Sequence, residues 1–290
     1  MSQFPETELI INSENRVYHI NLKGEDIADD VIVVGDQNRV SQISSYFSNI
    51  DFKTEHREFI THTGTYNGKR ITVLSTGIGT DNIDIVLNEL DAAVNINLET
   101  RELNPQHRKL NIIRLGTSGA LQEEIPVNGL VASSHGIGLD GLLNFYEGWK
   151  SINENNISEA FIKHTNWQKN LPYPYCVAAS DLLLNKFKEN IHVGITATAL
   201  GFYGPQGRQI RLKSSAPNLN ELLTSFKLDG LRIANFEMET SALYGLGKLL
   251  NHNCLTVCVI IANRVRKEFT NDYQKSVGIL IENCLNKLSN

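Results

Sequence analysis

The chain has 290 residues, 41% of them hydrophobic, and a formal charge of −5 with acids and bases interspersed. That length buries a full core and predicts one α/β domain over residues 1–290. No basic block or aromatic-basic stripe is present, which argues against nucleic acid as a partner. A local arginine cluster inside a mildly acidic protein still suits a small anion. The stretch MSQFPETELIINSENR lacks the basic start and apolar run of a signal peptide, and no apolar run is long enough to span a membrane. Cys176, Cys254, Cys258 and Cys284 do not suggest a disulfide scaffold in a chain this size. Cys254 and Cys258 are spaced C-x-x-x-C with no second ligand pair nearby, so buried core thiols are expected rather than zinc. These features together predict a cytoplasmic protein.

In chain order, short β-branched runs end in glycine turns and alternate with helical periodicity. DVIVVG ends at Gly35 and leads into RVSQISSYFSNI, residues 39–50, which reads as a helix. RITVLSTGIG turns at Gly77 and Gly79 before a second helix in NIDIVLNELDAAVNI, residues 82–96. Residues 95–110 are polar, contain Pro105 and read as a surface excursion. LNIIRLGTSG turns at Gly116 and Gly119, and GLVASSHGIG, IHVGITATALG and LTVCVIIANR read as further strands. METSALYGLGKLL (238–250) reads as a buried helix and SVGILIENCLNKL (276–288) as a closing amphipathic one. Strands alternating with helices predict an α/β sheet that is at least partly parallel. Ligands of such sheets sit at the carboxyl ends of the strands, so the glycine turns after residues 34, 76 and 115 converge on one site.

The turns differ in what they offer. Gly35 lets backbone approach an anion and Arg39 supplies charge, although a tight turn with a solvated arginine explains the same residues. STGIGTDN lacks the third glycine of a dinucleotide fingerprint and the G-K-[ST] of a P-loop. Arg114 lies inside a strand-like run, where its charge needs an anion. With Thr117 and Ser118 it makes a phosphate cradle; alternatively it pairs with interior Glu237 or Glu239, and the two readings are compatible. In GFYGPQGRQIR, Gln206 and Arg208 follow Phe202 and Tyr203. An amide and a guanidinium can read the carbonyl edge of a pyrimidine while a ring stacks on its face, though a plain polar loop has the same composition. IANFEMET places two carboxylates at the start of a buried helix, which needs compensation.

Taken together, VYHINLKGEDI, VVGDQNRV, HREFITHTGTYNGKRITVLSTGIG, IIRLGTSGALQEEIPVNGLV, LDGLLNFY, VGITATALGFYGPQGR, NFEMETSALY and VIIANR resemble segments of the nucleoside phosphorylase family, in the family's order and along most of the chain. The likeness is strongest to its uridine phosphorylases. It implies a three-layer α/β sandwich around a mixed, twisted sheet, assembled as homodimers or as hexamers built from dimers. It assigns phosphate to Gly35, Arg39, Arg114 and Thr117, with Arg57 arriving from a neighbouring subunit. His19 likewise comes from the neighbour, to the ribose 5′ region; Met238 and Glu239 hold the ribose. Gln206 and Arg208 read the uracil edge, with Phe202 against the ring. Arg114, Arg208 and Gln206 are then catalytic, placing the nucleophile and stabilising the leaving base. Phosphate is a co-substrate, and neither cofactor nor metal is required.

Some residues depart from that pattern. Purine-cleaving members carry an aspartate after the late strand, where this chain has Asn263 and Arg264 in IIANRVRK. The missing acid argues against purine nucleosides and methylthioadenosine, the alternative substrates. Thr80, Asp81 and Asn82 replace a usual Gly-Pro-Ser, in a loop that in some members holds a monovalent cation with the residue matching Glu58; such a site is not expected here. YGPQGR replaces the usual YPGQER but keeps the Q-x-R spacing. A non-catalytic nucleoside-binding relative is a third reading, against which Arg39, Arg57 and Arg114 all speak.

Overall fold

The computed structural model describes residues 3–289. Strand β1 (Asp30–Val34) is buried along its whole length, as expected of an apolar strand covered on both faces. It is followed by α1 (Gln37–Ser44), then by β2 (Asn49–His56), β3 (Phe59–Tyr66) and β4 (Lys69–Ser75), and by α2 (Thr80–Asn95). A short hairpin of β5 (Ile96–Asn97) and β6 (Glu102–Leu103) precedes the long strands β7 (Asn111–Ala120) and β8 (Leu130–Gly138). Next come α3 (Trp149–Ile152), α4 (Asn155–Thr165), β9 (Tyr175–Ala178), α5 (Asp181–Phe187) and β10 (His192–Thr198). The chain continues with α6 (Leu219–Ser225), β11 (Lys227–Leu228), β12 (Leu231–Glu237) and α7 (Thr240–Leu249). It ends with β13 (Asn253–Asn263), β14 (Glu268–Phe269) and α8 (Gln274–Ser289).

Among the described residues, twelve strands form one mixed sheet in the order β11-β12-β10-β8-β13-β7-β1-β4-β3-β2, with β9 on β8 and β14 on β13. The expected α/β class and mixed sheet are therefore present. One end of the sheet also closes on itself. Antiparallel pairing of Asn235 with Ala120 and Phe236 with Gly119 joins β12 to β7, completing a ring through β13, β8 and β10. The strands β1, β4, β7 and β13 run parallel and end at the same edge.

Three local expectations need correction. The helix expected over 39–50 stops at Ser44, and β2 begins at Asn49. NIDFKTEH alternates exposed and half-buried residues, the period of an edge strand, and that pattern outweighs the helical reading of its first residues. Gly116 and Gly119 make no turn: β7 runs straight through both, paired with β13 as far as Ala120. Gly116 is needed for space, because a Cβ there would strike the Arg114 guanidinium. The rest of β2, strand β3 and helices α3 to α6 lie in segments for which no element was expected.

The 95–110 excursion is the β5–β6 hairpin and the segment after it. Arg108 pins it by donating to Asp29 at 2.8 Å and to the carbonyls of Gly24 and Ile27 at 2.7 and 2.6 Å. Beside it, His252 Nδ1 accepts from the Leu110 N–H at 3.1 Å, so the proton of the neutral ring is on Nε2, 3.2 Å from Asp91. That proton leaves Nε2 no lone pair for a metal, although Asp91, His107 and His252 are clustered.

All four cysteines are buried and unpaired, as expected of core thiols. The largest hydrophobic core flanks the central strands, and a second one, containing Phe161, Phe226, Phe236 and Ile195, lies under β10 and β12. Phe161 is fully buried and meets Phe226 edge-on at 5.7 Å. Phe161→Ala is expected to lower unfolding free energy by about 3–5 kcal/mol, read as a fall in denaturation midpoint at unchanged m-value.

Candidate active site

A cavity of about 800 Å³ opens at the carboxyl edge of the parallel strands. It is lined by Gly35, Arg39, Arg114, Thr117, Phe202, Gln206, Arg208, Met238 and Glu239, all of which the sequence singled out. His19 and Arg57 are not among its lining residues.

At one end, Gly35 follows β1 directly and Asp36 caps α1 by accepting from the Asn38 N–H at 2.9 Å. This places Arg39 in the first turn of α1, 8% exposed. The one hydrogen bond of its guanidinium is to the Leu115 carbonyl at 3.0 Å, among the described residues. Burial, with Arg114 nearby, lowers its pKa, and its remaining donors are unsatisfied by protein. An anion in the cavity would supply the missing acceptors.

Arg114 sits mid-strand in β7, opposite Val33 of β1 and Thr256 of β13. Its guanidinium meets Glu237 at 3.1 Å and pairs with Glu239. Burial works against its charge, but Glu239 and Glu237 outweigh that and raise its pKa. The two glutamates are not equivalent. Glu237, the last residue of β12, accepts from the N–H of Glu239 at 3.0 Å, from that of Thr240 at 3.1 Å and from the Thr198 hydroxyl at 2.8 Å. It is an anchor, held by these donors and by Arg114 and set at the N-terminus of α7.

Glu239 accepts from Arg114, from the Gly79 N–H at 2.8 Å and weakly from the Met238 N–H at 3.3 Å. Gly79 adopts φ 101°, a conformation that disfavours any side chain, and so aims the N-terminus of α2 at this carboxylate. Burial and the neighbouring Glu237, opposed by Arg114, push Glu239 up to about 6. This carboxylate keeps acceptor capacity for a polar ligand.

At the other end, Gln206 is 2% exposed on a single 3₁₀ turn. Its side-chain oxygen accepts from Arg208 at 2.6 Å and from Arg264 at 2.8 Å, and its backbone carbonyl accepts from Arg264 at 2.6 Å. The Arg208 guanidinium lies 3.6 Å from the centre of the Phe202 ring. Burial, helped by Arg208, pulls Arg264 down to about 10, which leaves it cationic at neutral pH. The sequence reading gave Arg264 no role. The rule that ligands gather at strand ends could have found it, since it follows β13 directly. Asn263, beside it, is fully buried and spent: it donates to the carbonyls of Gln122 and Ile125 at 2.9 and 2.8 Å and accepts from Val265 and Arg266 at 3.0 and 2.9 Å. It has no acidic proton to give.

His19 and Arg57 lie together elsewhere on the surface. His19 is held by Glu89 at 2.6 Å, and Arg57, at the tip of the β2–β3 hairpin, donates to the Tyr18 hydroxyl at 3.1 Å.

A family model described as the phosphorylase superfamily matches residues 29–288. The uridine phosphorylase of Thermococcus kodakarensis is 31% identical, the alignment covering 98% of this chain and 89% of that protein. A purine nucleoside phosphorylase of DeoD type from Buchnera aphidicola is 26% identical over 92% of this chain and 97% of its own length. A Trypanosoma brucei nucleoside phosphorylase crystal structure, described as showing uridine phosphorylase activity, superposes with a TM-score of 0.86 at 29% identity, covering 97% of this chain and 98% of that one.

Removing Glu237 while Arg114 remains leaves a buried charge half paired. Glu237→Ala is expected to cost about 3–5 kcal/mol of stability, and the triple replacement Arg114→Met/Glu237→Gln/Glu239→Gln less than that, both read by denaturant titration.

Proposed function

This chain belongs to the phosphorylase superfamily, and we propose that it catalyses the reversible phosphorolysis of uridine to uracil and ribose 1-phosphate. The observation that carries this reading is the order of groups along one cavity: two arginines, then a hydrogen-bonded carboxylate, then a donor-rich end built on Gln206. That sequence suits phosphate, sugar and a base edge with carbonyl oxygens, in that order. Arg39, Arg114, Gly35 and Thr117 hold phosphate; Glu239 accepts from the ribose hydroxyls with Met238 packed on the sugar. Gln206 and Arg208 face the uracil edge, supported by Arg264, and Phe202 covers the ring.

In the reaction, the C1′–N1 bond lengthens, the sugar gains oxocarbenium character, and phosphate attacks C1′ from the opposite face. The positive charge on C1′ is stabilised by phosphate and the negative charge on uracil by Arg208 and Gln206, so positioning and electrostatics carry the rate. The reading invokes phosphate as co-substrate and no cofactor or metal. It disfavours purine nucleosides because Asn263, at the place of the purine-protonating acid, is an amide engaged on both sides. His19 and Arg57 complete the site of a neighbouring subunit in a homodimer, or in a hexamer of dimers; their absence from the lining of this chain's own cavity supports that assignment. Four unpaired thiols fit a reducing cytoplasm, and uridine cleavage gives the protein a role in pyrimidine salvage.

Ultraviolet-monitored cleavage of uridine, with and without phosphate and alongside inosine, tests the reading. Phosphate-dependent uracil release is expected; cleavage without phosphate, or of inosine alone, overturns it. Arg208→Ala is expected to lower kcat on uridine by about 10²–10³-fold with the phosphate KM little changed. Because Glu239 ionises at about 6, uridine kcat/KM is expected to fall as the pH drops through that value. Glu239→Gln should flatten this limb in a pH profile.

A further inference from the structure

A second cavity, of about 710 Å³, lies against the base-reading segment. Phe202 and Gln206 line the first cavity, Tyr203 and Pro205 the second, and Arg208 both. Its size falls within the range of small-molecule sites. Trp167, Leu171, Leu200, Ile210, Leu212 and Leu219 make most of its wall apolar. Ile210 and Leu212 stand on a segment without helix or strand and are 77% and 87% exposed, which is costly for large apolar side chains with nothing over them.

The charges around this wall have one sign. Arg208, Arg211 and Lys213 contribute to it, and no carboxylate does, among the described residues. Arg211 and Lys213 form no ion pair within the described chain. An apolar body sealed by cations rejects sugars and polar bases, whose hydroxyls and amides would go unpaired there. It also disfavours organic cations. A molecule with a long or polycyclic hydrocarbon body and one acidic head would cover Ile210 and Leu212 while its head reaches Arg211 and Lys213.

We propose that this cavity is a binding site for amphipathic organic monoanions, carboxylates or sulfonates, separate from the nucleoside site. The test uses 8-anilino-1-naphthalenesulfonate as a fluorescent probe of the full-length protein, with dodecanoate and dodecanol as competitors. Saturable binding is expected, with dodecanoate displacing the probe at concentrations at least tenfold lower than dodecanol. Two variants locate the site: Leu200→Glu, and Arg211→Glu with Lys213→Glu. All three positions are exposed, so the fold is not at stake, and an unchanged circular dichroism melting curve checks this. Each variant is expected to weaken probe binding at least tenfold. Absence of saturable binding, equal competition by dodecanol, or unchanged affinity in both variants would overturn the proposal.

Discussion

Arg114 lies in the middle of β7, flanked by β1 and β13, and its charge has to be neutralised where it stands. Glu237 and Glu239 do this from the junction of β12 and α7, and Gly79 adds a backbone donor from the start of α2. One ion cluster therefore fixes the relative positions of two strands and two helices. Gly116 leaves room for the guanidinium, and the whole cavity is arranged around it. The interior of the ring formed by β7, β13, β8, β10 and β12 could not tolerate these charges singly.

The two carboxylates divide the work because their surroundings differ. Glu237 has backbone and hydroxyl donors as well as Arg114. Glu239 has fewer donors and sits next to Glu237, so its carboxyl is the one pushed up to about 6. The folded chain thus keeps that proton between the ordinary carboxylate range and about 6, where the unfolded chain has released it. Stability from this group is present at low pH and is lost as pH rises through about 6. That cost accompanies a carboxylate kept short of partners, and so receptive to hydroxyl groups.

Much of this was legible in the sequence because it rests on local rules. A buried arginine between apolar β residues demands an anion, and IANFEMET carries two. Q-x-R after an aromatic pair indicated the donor-rich end. What escaped was non-local. Gly116 and Gly119 read as a turn, since nothing in RLGTSG tells that β13 runs alongside and that one glycine makes room for a side chain. The first residues of β2 read as helix because alternation emerges only farther along the strand. Arg264 was invisible as a Gln206 partner because the two are brought together only by sheet order. The unequal roles of Glu237 and Glu239 depend on Thr198 and Gly79, both distant in sequence.

The closed ring separates what is rigid from what can be exchanged. Because β12 is tied to β7 as well as to β10, the strand that delivers Glu237 has no loose edge along which to shift. The segment from Leu200 to Asn218 leaves the ring after β10 and returns through α6, carrying Gln206 and Arg208 on a single turn. On the proposed reading, the groups assigned to sugar and phosphate thus belong to the frame, and Gln206 and Arg208, assigned to the base, to an insert mounted on it. A different insert would present other groups at that end of the cavity while the frame and its buried charges stayed as they are.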